Sequence, residues 1–69
     1  MNVKDGHYKL YQLDDGRYVM YHRHEEEDVL WETFSEDKDS FDPNDCSEVS
    51  PDSEDLPPDG AVLIEEGEM

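Results

Sequence analysis

The chain contains one cysteine, Cys46, so no internal disulfide can staple the fold, and its acidic, polar neighbourhood makes it a poor nucleophile. Between Met1 and Leu10 no basic region leads into an apolar run, and no stretch approaches the roughly 20 apolar residues that span a bilayer. The expectation is a protein of a reducing, cytoplasmic setting, neither exported nor inserted into membrane. Bases are scarce, with only five Lys or Arg. Nucleic acid and anionic lipid headgroups would therefore be repelled, because neither carries the positive charge such a surface needs. There is no glycine-rich phosphate loop. At 33% hydrophobic residues, the chain also has too little apolar material for a water-excluding pocket of the usual size. Pairs of carboxylates at acid–base distance are unavoidable among 21 acids and carry no information. The expectation is not an enzyme, and no cofactor is implied.

What the chain has is negative charge. Its 69 residues include 21 Asp or Glu, for a net charge of −16. That length allows a single small domain, 1–69, whose one core supplies about 3–5 kcal/mol of net stability at best, with carboxylate self-repulsion working against it. The charge is unevenly placed: residues 1–24 net +1, whereas residues 25–69 hold 18 acids against Lys38 alone and net −17.

The first part reads as a β-hairpin, since His7–Leu13 and Arg17–His24 are rich in Tyr, Leu, Val and Met and flank Asp14-Asp15-Gly16. Asp-Gly suits a type I′ turn, which sets Leu13 opposite Tyr18, Tyr11 opposite Met20 and Leu10 opposite Tyr21. Tyr11, Leu13, Tyr18 and Met20 then share one face, and Tyr8, Leu10, Val19 and Tyr21 share the other, offering a surface for a possible homodimer. Helix and strand readings compete over Val29–Phe34, with β-propensity favouring the strand. Residues 35–60 hold few apolar side chains and all four prolines. They read as a long, mobile acidic loop, with Asp42-Pro43 opening one helical turn through Val49. Ala61–Ile64 follows a Pro-Pro-Asp-Gly turn signal as a last strand at an edge. The expected fold is α+β or mainly β: a three- to four-stranded antiparallel sheet, with an ordered core in 7–34 and 61–64.

Two metal patterns invite attention. The hairpin register sets His7 opposite His24 with His22 on the same face, but no third or fourth zinc ligand with a supporting shell can be assigned. The alternative is strand-end histidines paired with nearby glutamates. Asp37, Asp39 and Glu48 fall at positions 1, 3 and 12 of a calcium loop, yet Phe41 and Asp42 stand where such a loop requires an oxygen ligand and a glycine. No metal is expected.

The carboxylates read in one of two ways. The plain reading is a solvated coat that confers solubility. The functional reading is an imitation of nucleic acid, because a protein built to hold duplex DNA carries Lys and Arg arranged to match one negative charge per ~1.7 Å. Aromatics among the acids would add anchors that phosphates lack, and Trp31, Phe34 and Phe41 are the candidates. The partner surface is expected to comprise Glu25, Glu26, Glu27, Asp28, Trp31, Glu32, Phe34, Glu36, Asp37, Asp39 and Asp42.

The run Gln12-Leu13-Asp14-Asp15-Gly16-Arg17-Tyr18, then Tyr21-His22, an acidic stretch and Val29-Leu30-Trp31-Glu32-Thr33-Phe34, resembles the small uracil-DNA glycosylase inhibitors of Bacillus phages. More broadly, the chain is similar to phage-encoded DNA mimics that disarm host restriction, CRISPR or repair proteins. The resemblance implies a compact dimer with an antiparallel sheet that occupies the DNA groove of its target. Acids there stand in for phosphates, and an apolar pocket, here formed by Trp31 and Phe34, grips a protruding leucine. The long acidic segment after Ser35 has no counterpart in that pattern. The expected function is a DNA-mimic inhibitor of a basic, DNA-binding protein of the host, with no direct binding of nucleic acid or membrane. The alternative is an acidic module for a basic surface unrelated to DNA, such as a polymerase subunit or a regulator.

Overall fold

The computed structural model describes residues 1–69 and has five strands, three of them built by period-two alternation between turn residues and two, at the sheet edges, by pairing with their neighbours. They are β1 (His7–Gln12), β2 (Tyr18–Arg23), β3 (Leu30–Ser35), β4 (Cys46–Val49) and β5 (Val62–Glu68), with no helix. All pairings are antiparallel, in one sheet of order β4-β3-β2-β1-β5. The mainly β reading holds, and the helical alternative for Val29–Phe34 is not taken. The strand count rises to five because Cys46–Val49, expected in the acidic loop or a helical turn, pairs with β3 instead. Asp42 bends the chain just before it, accepting from Asn44 N at its carboxylate (2.9 Å) and from Asp45 N at its carbonyl (3.0 Å).

The hairpin forms, but one residue out of the expected register: Leu10 faces Met20, Tyr11 faces Val19 and Gln12 faces Tyr18. A type I′ turn needs two residues at positive φ. Here only Gly16 supplies one, at φ 92°. Asp15 is held otherwise, its carboxylate accepting from the Arg17 backbone N–H (3.0 Å) and Nε (2.8 Å). The loop is therefore three residues, Asp14 to Gly16, closed by Leu13 N donating to Arg17 O at 2.7 Å. One slipped residue regroups the faces. Tyr11 and Leu13 join Val19 and Tyr21, while Tyr8 and Leu10 join Tyr18 and Met20.

The first of these groups is the core. Val3, Tyr11, Leu13, Val19, Tyr21 and Leu30 form one buried cluster on what we call the inner face. Tyr11 and Tyr21 meet edge to face, with ring centroids 6.1 Å apart. Burial, then a 2.6 Å hydrogen bond donated to Glu32, keeps the Tyr21 hydroxyl protonated far above the usual tyrosine range. Because β4 and β5 lie at opposite edges, the chain between them, residues 50–61, must cross the sheet. It does so over the inner face, where Leu56 and Ala61 pack against the core along with Met1 and Val49. The Met1 amino group donates to Pro51 O at 2.9 Å and ties the first residues to this crossing. Core residues thus extend to Val3, outside the expected 7–34, whereas of the expected 61–64 only Ala61 packs on the core and Val62, Leu63 and Ile64 are exposed; the acidic segment contributes both a strand and core cover. The surface expected for a homodimer does not exist as one face, since Tyr8 lies apart from Val19 and Tyr21, and Leu10, Val19 and Tyr21 are all buried.

Candidate functional site

Nineteen of the 21 acids are exposed, the exceptions being the half-buried Glu27 and Glu32. The sheet distributes the predicted site residues to its two ends. Glu25, Glu26, Glu27 and Asp28 fill the β2–β3 connection at one end; Glu36, Asp37, Asp39 and Asp42 follow β3 at the other. Six-residue β3 holds these clusters about 17 Å apart, from a rise of ~3.4 Å per residue. The acids of the crossing segment, Asp52, Glu54, Asp55 and Asp59, add a third exposed patch that charge alone gave no reason to prefer.

Few of these charges are neutralised. Arg23 joins Asp5 (3.0 Å) and Asp28 (3.8 Å), and also donates to the carbonyls of Val3 and Glu27, so it fastens the acidic β2–β3 connection to the first residues. Arg17 pairs with Asp15, whose carboxyl is held below the usual range by the Arg17 backbone N–H first and its guanidinium second. Lys38 reaches Glu65 at 3.9 Å. Seventeen acids have no basic partner.

Two predicted acids play local parts. Glu32 accepts the Tyr21 hydroxyl on the inner side, and Glu27 accepts Trp31 Nε1 at 2.9 Å, so each orients an aromatic ring. Trp31 and Phe34, three positions apart on β3, point to opposite faces of the sheet and cannot form one pocket. Phe34 is 38% exposed with the Arg17 guanidinium 5.9 Å from its ring centre. Trp31 belongs to a row across the outer face, where Gly67, Tyr8, His22, Trp31 and Glu48 stand on successive strands. Tyr8 donates to Glu65 at 2.9 Å, and that bond is the first cause raising its ionisation above the usual tyrosine value. Sequence reasoning placed Tyr8 on the expected homodimer face and missed its bond to Glu65, which lies 57 positions away.

The slipped register also rearranges the histidines. His7 stands opposite Arg23, while His22 and His24 meet edge to face, 5.0 Å between ring centres. No group of three or more His, Cys, Asp or Glu side chains is arranged to hold a metal ion. His22 Nδ1 is buried without a hydrogen-bond partner. Burial first, and the charge of His24 second, depress its protonation below the ordinary 6.5, with Glu27 opposing. A base with a depressed folded pKa costs nothing above the unfolded value and destabilises the fold as pH drops below it, because the unfolded chain then binds more protons. His22→Phe is therefore expected to melt higher than the parent, and the gap should widen between pH 7.5 and 5.5. Thermal melts of both proteins test this; a constant gap would exonerate the imidazole, since the carboxylates are common to both.

No helix of the structure is long and apolar enough to cross a membrane. No protein family, curated protein or solved structure matches the chain.

Proposed function

We propose that this protein is an acidic DNA mimic of the phage counter-defence type, which binds and inhibits a DNA-binding or DNA-processing protein of the host. The class of target includes uracil-DNA glycosylases, restriction enzymes and CRISPR effectors. One observation supports the reading above the others: a net charge of −16 is carried on a body 32 Å long, one charge per 2 Å. A duplex of that length carries about 19 charges, at one per ~1.7 Å. The fold adds what a solubility coat does not need, since the sheet fixes acid clusters at both ends and holds aromatic side chains between them.

The expected behaviour is competition. The protein should displace DNA from its target, lose affinity as salt screens the charge pairs, and bind no DNA itself. Anisotropy of a labelled duplex, free and on a target pulled down from bacterial lysate at low salt, titrated with this protein at several salt concentrations, reads all three. If target, DNA and protein assemble together with no loss of affinity, the mimic reading fails and the acidic module for a basic surface unrelated to DNA replaces it.

A further inference from the structure

β5 ends the sheet, with β1 on one side and no strand on the other. Its first half is apolar and open to solvent: Val62 is 61% exposed, Leu63 42% and Ile64 40%, three of the five large hydrophobic side chains left exposed. Its second half carries Glu65, Glu66 and Glu68. Met69 N donates to Gly6 O across the β1 side at 2.9 Å. Strand alternation then turns the Glu66 and Glu68 amides toward the free side. Such an edge is a template for another strand unless charge or distortion blocks it. Ile64 is an extra residue against β1, between the pairs Leu10–Glu65 and Tyr11–Leu63, so the edge bulges there, while the pairing of Glu65–Glu68 beyond it is regular. The opposite edge, β4, has only four residues and no large exposed apolar side chain.

We propose that the free edge of β5 receives an extended, basic segment of the partner protein as a sixth, antiparallel strand. Its apolar residues would lie beside Val62, Leu63 and Ile64, and its Lys or Arg beside Glu65, Glu66 and Glu68. The choice of occupant follows from charge. A second copy would bring another −16 to the same edge, whereas a basic strand is drawn by the same carboxylates that keep the copy away. Strand addition supplies main-chain hydrogen bonds, and alternate side chains supply selectivity. The inference rests on the reading that the partner is basic, but not on that partner being a DNA-binding protein.

The test uses the full chain and the capped peptide Arg-Thr-Arg-Arg-Val-Ile-Val, beside the same peptide N-methylated at the alternate amides that would face β5. Both carry the same charge, and only the first can complete the ladder. The unmodified peptide is expected to bind about tenfold more tightly, as the loss of a few net hydrogen bonds implies. It should also slow hydrogen exchange at the Glu66 and Glu68 amides. Glu66→Pro removes one outward N–H while leaving the β1 ladder intact, and should weaken binding about fivefold or more relative to Glu66→Gln. Matching thermal melts of the two variants would certify the fold, and the exchange measurement on the parent needs no variant. Equal binding of the two peptides overturns the edge and leaves the acidic reading standing. A dimer in sedimentation that Glu66→Pro dissolves would give the edge to a second copy and overturn the proposal too. If the unmodified peptide binds as expected while the protein fails to compete with DNA, the edge stands and the mimic falls.

Discussion

Leu30→Ala is expected to leave most of the chain unfolded at low ionic strength. Leu30 is fully buried in the core cluster and faces Val49 across the β3–β4 pairing, so truncation opens a cavity with little that can collapse into it. Such changes cost about 2–5 kcal/mol. A domain of this size has only about 3–5 kcal/mol to lose, before self-repulsion among its acids is counted. Screening that repulsion should restore part of the fold, since the Debye length shrinks to about 3 Å at 1 M salt. Far-UV circular dichroism of parent and variant across a salt series reads the result, and Phe34→Ala serves as the exposed control. A variant as stable as its parent would show that the core is not centred where the cluster places it.

The second large effect concerns the rate at which the partner is found. Neutralising Glu25 and Glu26 together, or Glu36, Asp37 and Asp39 together, should slow association several-fold at low salt and flatten its salt dependence. Glu27 and Glu32 are left alone because they hold Trp31 and Tyr21, and changing them would mix rate with structure. Trp31→Ala should act on the other limb, hastening dissociation by about 2 kcal/mol or more where the indole is an anchor. Since Phe34 lies on the opposite face, a flat target can engage one of the two rings, and a loss from both substitutions would mean that the partner wraps the β3 side. Stopped-flow association at several salt concentrations separates these outcomes. Unchanged rates for both acid clusters would remove them from the partner surface.

How far the sequence could be read depended on the range of the forces involved. The hairpin and the β3 strand were legible because alternation and an Asp-Gly turn are local signals. The register was not, because it turned on where the Asp15 carboxylate goes, and Arg17 captured it. β4 stayed hidden within the acidic segment because Cys46-Ser47-Glu48-Val49 has one apolar contact to offer and becomes a strand only beside β3. Leu56 and Val3 likewise become core residues only once the crossing segment and the first residues meet over the inner face. The acid clusters could be listed from the sequence, but their separation to opposite ends of a strand, and the diversion of Glu27 and Glu32 to aromatic partners, needed the sheet.

The strand order also dictates the tempo of assembly. β1 to β4 form a meander whose turns close over short stretches, whereas joining β1 to β5 brings Gln12 to Val62, 50 positions away. Closing a loop roughly four to eight times longer than those of the meander costs about 1–2 kcal/mol more in chain entropy, so this joining is the slow event. The crossing segment arrives only with it, and until then Tyr11, Val19, Tyr21 and Leu30 lie open on a half-built sheet. Half-built sheets of most proteins cling to one another. Here every copy carries the same −16, so the charge that strains the finished fold keeps its unfinished forms apart.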